Sequence, residues 1–124
     1  MIRNILAVDD SASIREILKS ALSQAGYAVT TAADGDEGVE HALAERFDLV
    51  LTDLHMPRMS GLDLVSKLRA NPSYVETPIL VLTTESDERF KAALRDAGAT
   101  GWLEKPVDPE VLVDLAGALG GALS

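Results

Sequence analysis

Short aliphatic runs alternate along this chain with segments whose apolar residues recur every three or four positions. Ile5-Leu6-Ala7-Val8, Leu49-Val50-Leu51 and Ile79-Leu80-Val81-Leu82 are unbroken by polar residues, as expected of strands covered on both faces. The middle run predicts a strand over 48–52 that leads directly into Asp53. A more polar strand is predicted over 27–32, where Val29 stands among small residues and threonines, and a short one over about 100–103. Between them, Ile14, Ile17, Leu18, Ala21, Leu22 and Ala25 follow the helical repeat, and Gly26 suits a left-handed C-terminal cap. Asp34, with Glu37 three residues on, predicts the start of a second helix over 35–45. Ser60 and Asp63 form a capping-box pattern ahead of Leu64, Val65 and Leu68, in a helix that should stop before Asn71-Pro72. A fourth helix is expected from about residue 86, through Phe90 and Leu94, to Gly98. The last has Asp108 at its N-cap and Pro109 in its first turn, and should run out at Gly120-Gly121.

Five strand–helix units with short connections imply an α/β fold: a doubly wound, five-stranded parallel sheet with right-handed crossovers and helices on both faces. The first, third and fourth strands are the most aliphatic and belong in the middle, and the second and fifth belong at the edges. The order 2-1-3-4-5 satisfies this and puts the topological switch point between strands one and three. Ligands of such sheets bind outside the carboxyl ends of the strands at that point.

Composition narrows the function. The 124 residues suit a single domain, and no linker, repeat or low-complexity tract interrupts residues 1–124. A net charge of −9 argues against binding nucleic-acid backbones or anionic membranes. The absence of cysteine excludes disulfides and thiolate metal sites. The amino-terminal apolar run is too short for a signal peptide or a spanning helix, so a cytoplasmic protein is expected.

The polar residues that carry chemistry fall at strand ends. Asp9 and Asp10 follow strand one, Asp53 ends strand three, Thr83 ends strand four and Lys105 follows strand five. In the expected sheet order they converge on one crevice. Three neighbouring carboxylates repel one another unless a cation joins them. An all-oxygen donor set with room for waters suits Mg²⁺, with Mn²⁺ as a substitute. His41 and His55 lack zinc-ligand spacing and are expected at the surface. Each of these residues also has a plainer reading: Asp10 as a cap of the first helix, Thr83 as an ordinary strand residue, Lys105 as a solvated loop lysine.

Five segments taken in order resemble the receiver domains of two-component response regulators. They are Val8-Asp9-Asp10-Ser11, Asp53 with Met56-Pro57 and Gly61, Pro78-Ile79-Leu80-Val81-Leu82-Thr83-Thr84, Gly98-Ala99, and Lys105-Pro106. The likeness runs from about Asn4 to the last helix and implies a flavodoxin-like fold; with only Gly120-Gly121-Ala122-Leu123-Ser124 after that helix, no attached output domain is expected. By this resemblance Asp53 is the phosphoacceptor. Asp10, Asp53 and the backbone carbonyl of His55 ligate Mg²⁺ directly, and Asp9 acts largely through water. Lys105 and Thr83 contact phosphoryl oxygens. The Lys105-Pro106 peptide is cis in the family.

The family also implies a switch in which Trp102, where relatives have Tyr or Phe, turns inward as Thr83 moves. This would change the face formed by the fourth helix, fifth strand and last helix. His55 and Glu85 occupy the two positions that tune phosphoryl lifetime. Thr83-Thr84-Glu85-Ser86 and Gly98-Ala99-Thr100-Gly101-Trp102 look most like the chemotaxis CheY type. The implied partners are a CheA-like histidine kinase, a flagellar motor switch protein and a phosphatase, with the chain itself a monomer that turns over no small molecule. A phosphate sink or phosphorelay intermediate keeps the chemistry and changes the role. A Mg²⁺-dependent aspartyl-phosphate phosphatase fits less well, because such enzymes place a second Asp where this chain has His55. A pseudo-receiver scaffold fits poorly with the full set of acids, threonine and lysine.

Overall fold

Strands β1 (Asn4–Val8), β2 (Ala28–Ala32), β3 (Leu49–Asp53), β4 (Ile79–Thr83) and β5 (Gly101–Glu104) form one parallel sheet in the order 2-1-3-4-5 in the computed structural model. The structure describes residues 2–84 and 88–123, with side chains as far as residue 119. Helices α1 (Ala12–Gln24), α2 (Gly35–Ala44), α3 (Gly61–Arg69), α4 (Glu88–Ala97) and α5 (Pro109–Leu123) alternate with the strands, as the sequence pattern predicts. A short 3-10 turn, Pro72–Tyr74, precedes β4.

Side chains alternate across the sheet, so each central strand feeds two cores. Leu6, Val8, Val50, Ile79 and Val81 point to one face and pack with Ala42, Leu64, Val65, Leu68 and Leu94 of α2, α3 and α4. Ile5, Ala7, Leu49, Leu51, Leu80 and Leu82 point to the other and pack with Leu18, Leu22, Leu112 and Ala116 of α1 and α5. This double burial explains why these strands read as continuous aliphatic runs. β2 and β5 are only partly covered, as edge strands are.

Most helix boundaries follow the expected caps. Asp34 accepts from the Glu37 amide at 2.8 Å, and Ser60 and Asp63 form the reciprocal capping box. Gly26, at φ +99°, lets its own amide and that of Tyr27 bond back to the carbonyls of Ser23 and Leu22.

Several boundaries differ from expectation, those of β2, β4 and β5 by a single residue. The cap of α1 is Ser11, whose hydroxyl accepts from the Ile14 amide, rather than Asp10. α2 ends at Ala44, one residue early, with Glu45 already extended. β3 continues through Asp53, because its pairing with Leu82 carries the ladder one residue further. α5 passes through Gly120-Gly121 to Leu123. Glycine weakens a helix by about 1 kcal/mol per residue relative to alanine but keeps its N–H, so the ladder continues. The expected start of α4 near residue 86 lies outside the described residues. Among the described residues, no helix is long and apolar enough to cross a membrane.

Candidate functional site

The strand ends come level at one rim of the sheet. Register pairs Val8 with Thr52, Asp53 with Leu82, and Thr83 with Glu104. The residue after Val8 is Asp9, whose amide still donates to Ala32 at 3.1 Å and whose side chain is wholly buried. Its Oδ1 accepts from the Ser11 amide at 2.9 Å, which fixes the carboxylate as the chain turns into α1. Asp10 follows on the exposed side of that turn.

Asp53 is 6% exposed at the end of β3. The chain beyond it folds back closely enough for the Gly61 amide to donate to the Leu54 carbonyl at 2.8 Å. A Cβ on Gly61 would collide with the Asp53 carbonyl oxygen, so the start of α3 is seated against the end of β3 only because residue 61 has no side chain.

Lys105 closes the cluster from β5. Its amide donates to the Thr83 carbonyl at 2.9 Å, holding the backbone beside β4, and the following Lys105-Pro106 peptide is cis. The ammonium reaches inward to Asp9 Oδ2 at 3.1 Å and Asp53 Oδ1 at 3.0 Å. Carboxylate oxygens of Asp9, Asp10 and Asp53 lie within 4.8 Å of one another. Three acids and one ammonium leave −3 + 1 = −2 charges in this bowl. Such a donor set, oxygen-only and anionic, could hold a hard divalent cation.

The electrostatics follow from that crowding. Burial pushes the Asp53 carboxyl above its ordinary value; Lys105 opposes the rise, and the Asp9 charge and a hydrogen bond with Asp10 add to it. Burial pulls the Lys105 ammonium down, but its bonds to Asp53 and Asp9 more than offset this, and the net effect is upward.

Among the residues singled out from sequence, the structure thus gathers Asp9, Asp10, Asp53 and Lys105. Thr83 is 2% exposed and lies one position beyond Leu82, the strand partner of Asp53. His55 stands exposed on the loop after Asp53, where its ring meets Phe90 of α4 edge-on, centroids 6.1 Å apart and planes at 77°. His41 is remote, on α2, paired with Glu37 at 3.7 Å. Glu85 lies outside the described residues.

Trp102 is half-buried on β5, against the core under α4. Lys91 Nζ and Arg95 Cζ of α4 stand 5.8 and 5.9 Å from its ring centroid. Sequence reasoning missed this pair, although their four-residue spacing on one helix was the available signal. It also missed Lys105 as a bridge between Asp9 and Asp53.

Comparison with known proteins agrees with this geometry. A model of the response regulator receiver domain matches residues 5–116. Chemotaxis protein CheY1 of Helicobacter pylori is 42% identical over 110 residues, which cover 87% of this chain and 89% of that protein. The transcriptional regulatory protein DltR of Streptococcus agalactiae is 38% identical over 109 residues, 88% of this chain; the chain spans about half, 48%, of that relative's length. Among solved structures, a response regulator protein from Burkholderia multivorans is 60% identical with a TM-score of 0.83, covering 97% of this chain and 96% of that one. Vibrio cholerae CheY4 superposes with a TM-score of 0.91 at 44% identity, covering 95% and 98%. With the match spanning nearly the whole sheet, and Asp9, Asp10, Asp53 and Lys105 gathered at its rim, the chain belongs to the response regulator receiver domain family.

Proposed function

We propose that Asp53 is the phosphoacceptor of a cytoplasmic two-component signalling protein. The observation that carries this reading is the placement of Lys105 Nζ between two buried carboxylates, with Asp10 beside them, at the carboxyl ends of the central strands. One oxygen of Asp53 attacks the phosphorus of a phosphohistidine on a kinase, or of a small phosphodonor. A P–O bond forms as the donor's P–N or P–O bond breaks, and the leaving group takes the electron pair and a proton from solvent. An Asp ionised at neutral pH needs no general base. Lys105 leaves its bridge and neutralises charge growing on a phosphoryl oxygen, while Thr83 donates its hydroxyl to another.

Asp10, Asp53 and the His55 carbonyl would hold Mg²⁺, with Asp9 acting through water; bound there, the ion neutralises the excess negative charge during transfer. The residues fit it, because the bowl carries two uncompensated negative charges on oxygen ligands alone. The protein thus mediates its own phosphorylation and dephosphorylation without turning over a metabolite.

The likeness to CheY1 and CheY4 over nearly their whole lengths supports a chemotaxis role, with phosphoryl groups from a CheA-like kinase and output through α4, β5 and α5 to a flagellar motor switch protein. Exposed Glu88 and Glu104 on that face favour a second reading, a phosphate sink or phosphorelay intermediate, since they make the surface more acidic than such a partner suggests. Intact-mass analysis after acetyl phosphate and Mg²⁺ tests the chemistry: wild type gains one phosphoryl group and Asp53→Asn gains none. Equal gain by both refutes it. Phosphorylation-dependent binding of a motor-switch peptide supports the first output, and its absence alongside back-transfer to the kinase supports the second.

A further inference from the structure

The turn from β1 into α1 carries one charged contact that the phosphoryl chemistry does not use. The ladder of β1 ends at Val8, which pairs with Ala32 on one side and Thr52 on the other. Beyond it, the Asp9 amide still donates to Ala32, and the Asp9 carboxylate accepts from the Ser11 amide. The Asp9 carbonyl has left the ladder: among the described residues, no backbone amide donates to it. It is held from α1 instead. Arg15, in the first turn of that helix, donates from Nη1 to this oxygen at 2.6 Å. Helix side chains lean toward the N-terminus of their helix, so a residue six places later can reach back to it. The bond is partly buried and its donor is charged, which makes it one of the stronger kind.

That oxygen belongs to the peptide joining Asp9 to Asp10. The peptide is planar, so holding its oxygen restrains the torsions on either side, ψ of Asp9 and φ of Asp10. Asp10 is exposed, and packing does not aim it, yet its carboxylate lies within 4.8 Å of those of Asp9 and Asp53. Resting on the reading of the acidic bowl as a Mg²⁺ site, we propose that Arg15 is a positioning residue for the cation. By holding the Asp9 carbonyl it fixes the peptide before Asp10, and so keeps the Asp10 carboxylate turned into the bowl rather than out to solvent.

Charge and geometry predict opposite effects of removing Arg15. A guanidinium near an anionic bowl repels a divalent cation, so loss of its charge alone should tighten Mg²⁺ binding. Loss of the group that orients a ligand should weaken it, by about 10-fold or more. On the proposal the second effect is the larger.

The test follows the amide resonances of Asp10 and Ser11 as MgCl₂ is added, which yields the dissociation constant with no phosphodonor present. Arg15→Met keeps the stem, removes donor and charge together, and should raise that constant about 10-fold. Arg15→Lys should recover most of the wild-type affinity, because one N–H bond to a carbonyl does not need the guanidinium fork. Lys19→Met removes an exposed positive charge one turn further along α1 without touching Asp9, and should not weaken binding. Uptake from acetyl phosphate, followed by intact mass, should divide in the same way. Arg15→Met should be slow at low Mg²⁺ and close to wild type at saturating Mg²⁺, since its ligand is misaimed but not lost.

Binding by Arg15→Met that equals or exceeds wild type overturns the inference while leaving the metal site intact. So does slow uptake that saturating Mg²⁺ fails to restore. Wild-type amides that do not respond to MgCl₂ overturn the metal assignment and this inference with it.

Discussion

Replacing Asp53 with Asn should stabilise the metal-free protein while abolishing its response to Mg²⁺. The magnitude follows from the bowl. At an effective dielectric near 20, oxygens of Asp9 and Asp53 no more than 4.8 Å apart repel by about 3.5 kcal/mol or more. The attraction of Lys105 at 3.0 Å is about 5.5 kcal/mol on the same scale, so the two pair energies largely offset each other. Burial of the ionised carboxylate then decides the balance, and it is the leading cause of the raised Asp53 pKa. Substitution by the neutral isostere should therefore gain about 1–2 kcal/mol near pH 7, a rise of roughly 3–8 °C in melting temperature for a chain of this size. The pH dependence has a definite sign. Between the ordinary value of 3.8 and the raised one, the folded chain binds the Asp53 proton more tightly than the unfolded chain does. Wild type in EDTA thus loses stability on this account as pH rises through that window, and the variant has a flatter profile there. Mg²⁺ at ten times its dissociation constant should add about 1.4 kcal/mol to wild type and little to the variant. Thermal melts of both proteins in EDTA and in Mg²⁺ provide the assay. A variant that melts below wild type in EDTA, with equal gains from Mg²⁺ in both, refutes the reasoning.

Three further outcomes test other parts of the structure. Lys105→Ala should slow phosphoryl uptake by about 100-fold, as loss of one preorganised donor does, measured by mass against time; an unchanged rate removes Lys105 from the chemistry. Lys91→Met with Arg95→Met should free the Trp102 ring from two cation–π contacts of about 0.5–1 kcal/mol each, and so shift the emission of this sole tryptophan before any phosphodonor is added. An emission spectrum identical to wild type contradicts that clamp. Gly61→Ala should cost about 1–3 kcal/mol, seen as a lower melting temperature, because a Cβ there meets the Asp53 carbonyl and Leu54 Cα; a wild-type melt would refute the close seating.

The sheet was legible because its central strands are buried on both faces, which leaves an aliphatic signature that polar alternation cannot mimic. The acids and the lysine were legible because parallel strands deliver their carboxyl ends to one rim, so position along each strand was enough to bring Asp9, Asp53 and Lys105 together. Contacts between loops were not legible. Arg69 donates to the carbonyls of Tyr74, Thr77 and Gly98 at 2.6, 2.7 and 2.8 Å, and Tyr74 donates to Ala42 at 2.8 Å; these bonds end on backbone atoms, and backbone leaves no mark in a sequence. The first cap was misplaced for a related reason. Asp10 and Ser11 are both good capping residues, and only the turn that buries Asp9 decides that Ser11 takes the role. The end of α5 was set too early by treating glycine as a stop signal, when a glycine pair only lowers helix propensity.

Lys105 bonds partners 96 and 52 residues earlier in the chain. During synthesis the acids therefore leave the ribosome long before the ammonium that joins them, and a nascent chain ending before β5 carries an uncompensated anionic rim. On the proposed reading of Asp53, a fragment lacking the fifth strand and Lys105 would take up a phosphoryl group far more slowly than the complete sheet. The charges of the rim are thus balanced as the fold has them only once the last strand and the lysine after it have been made.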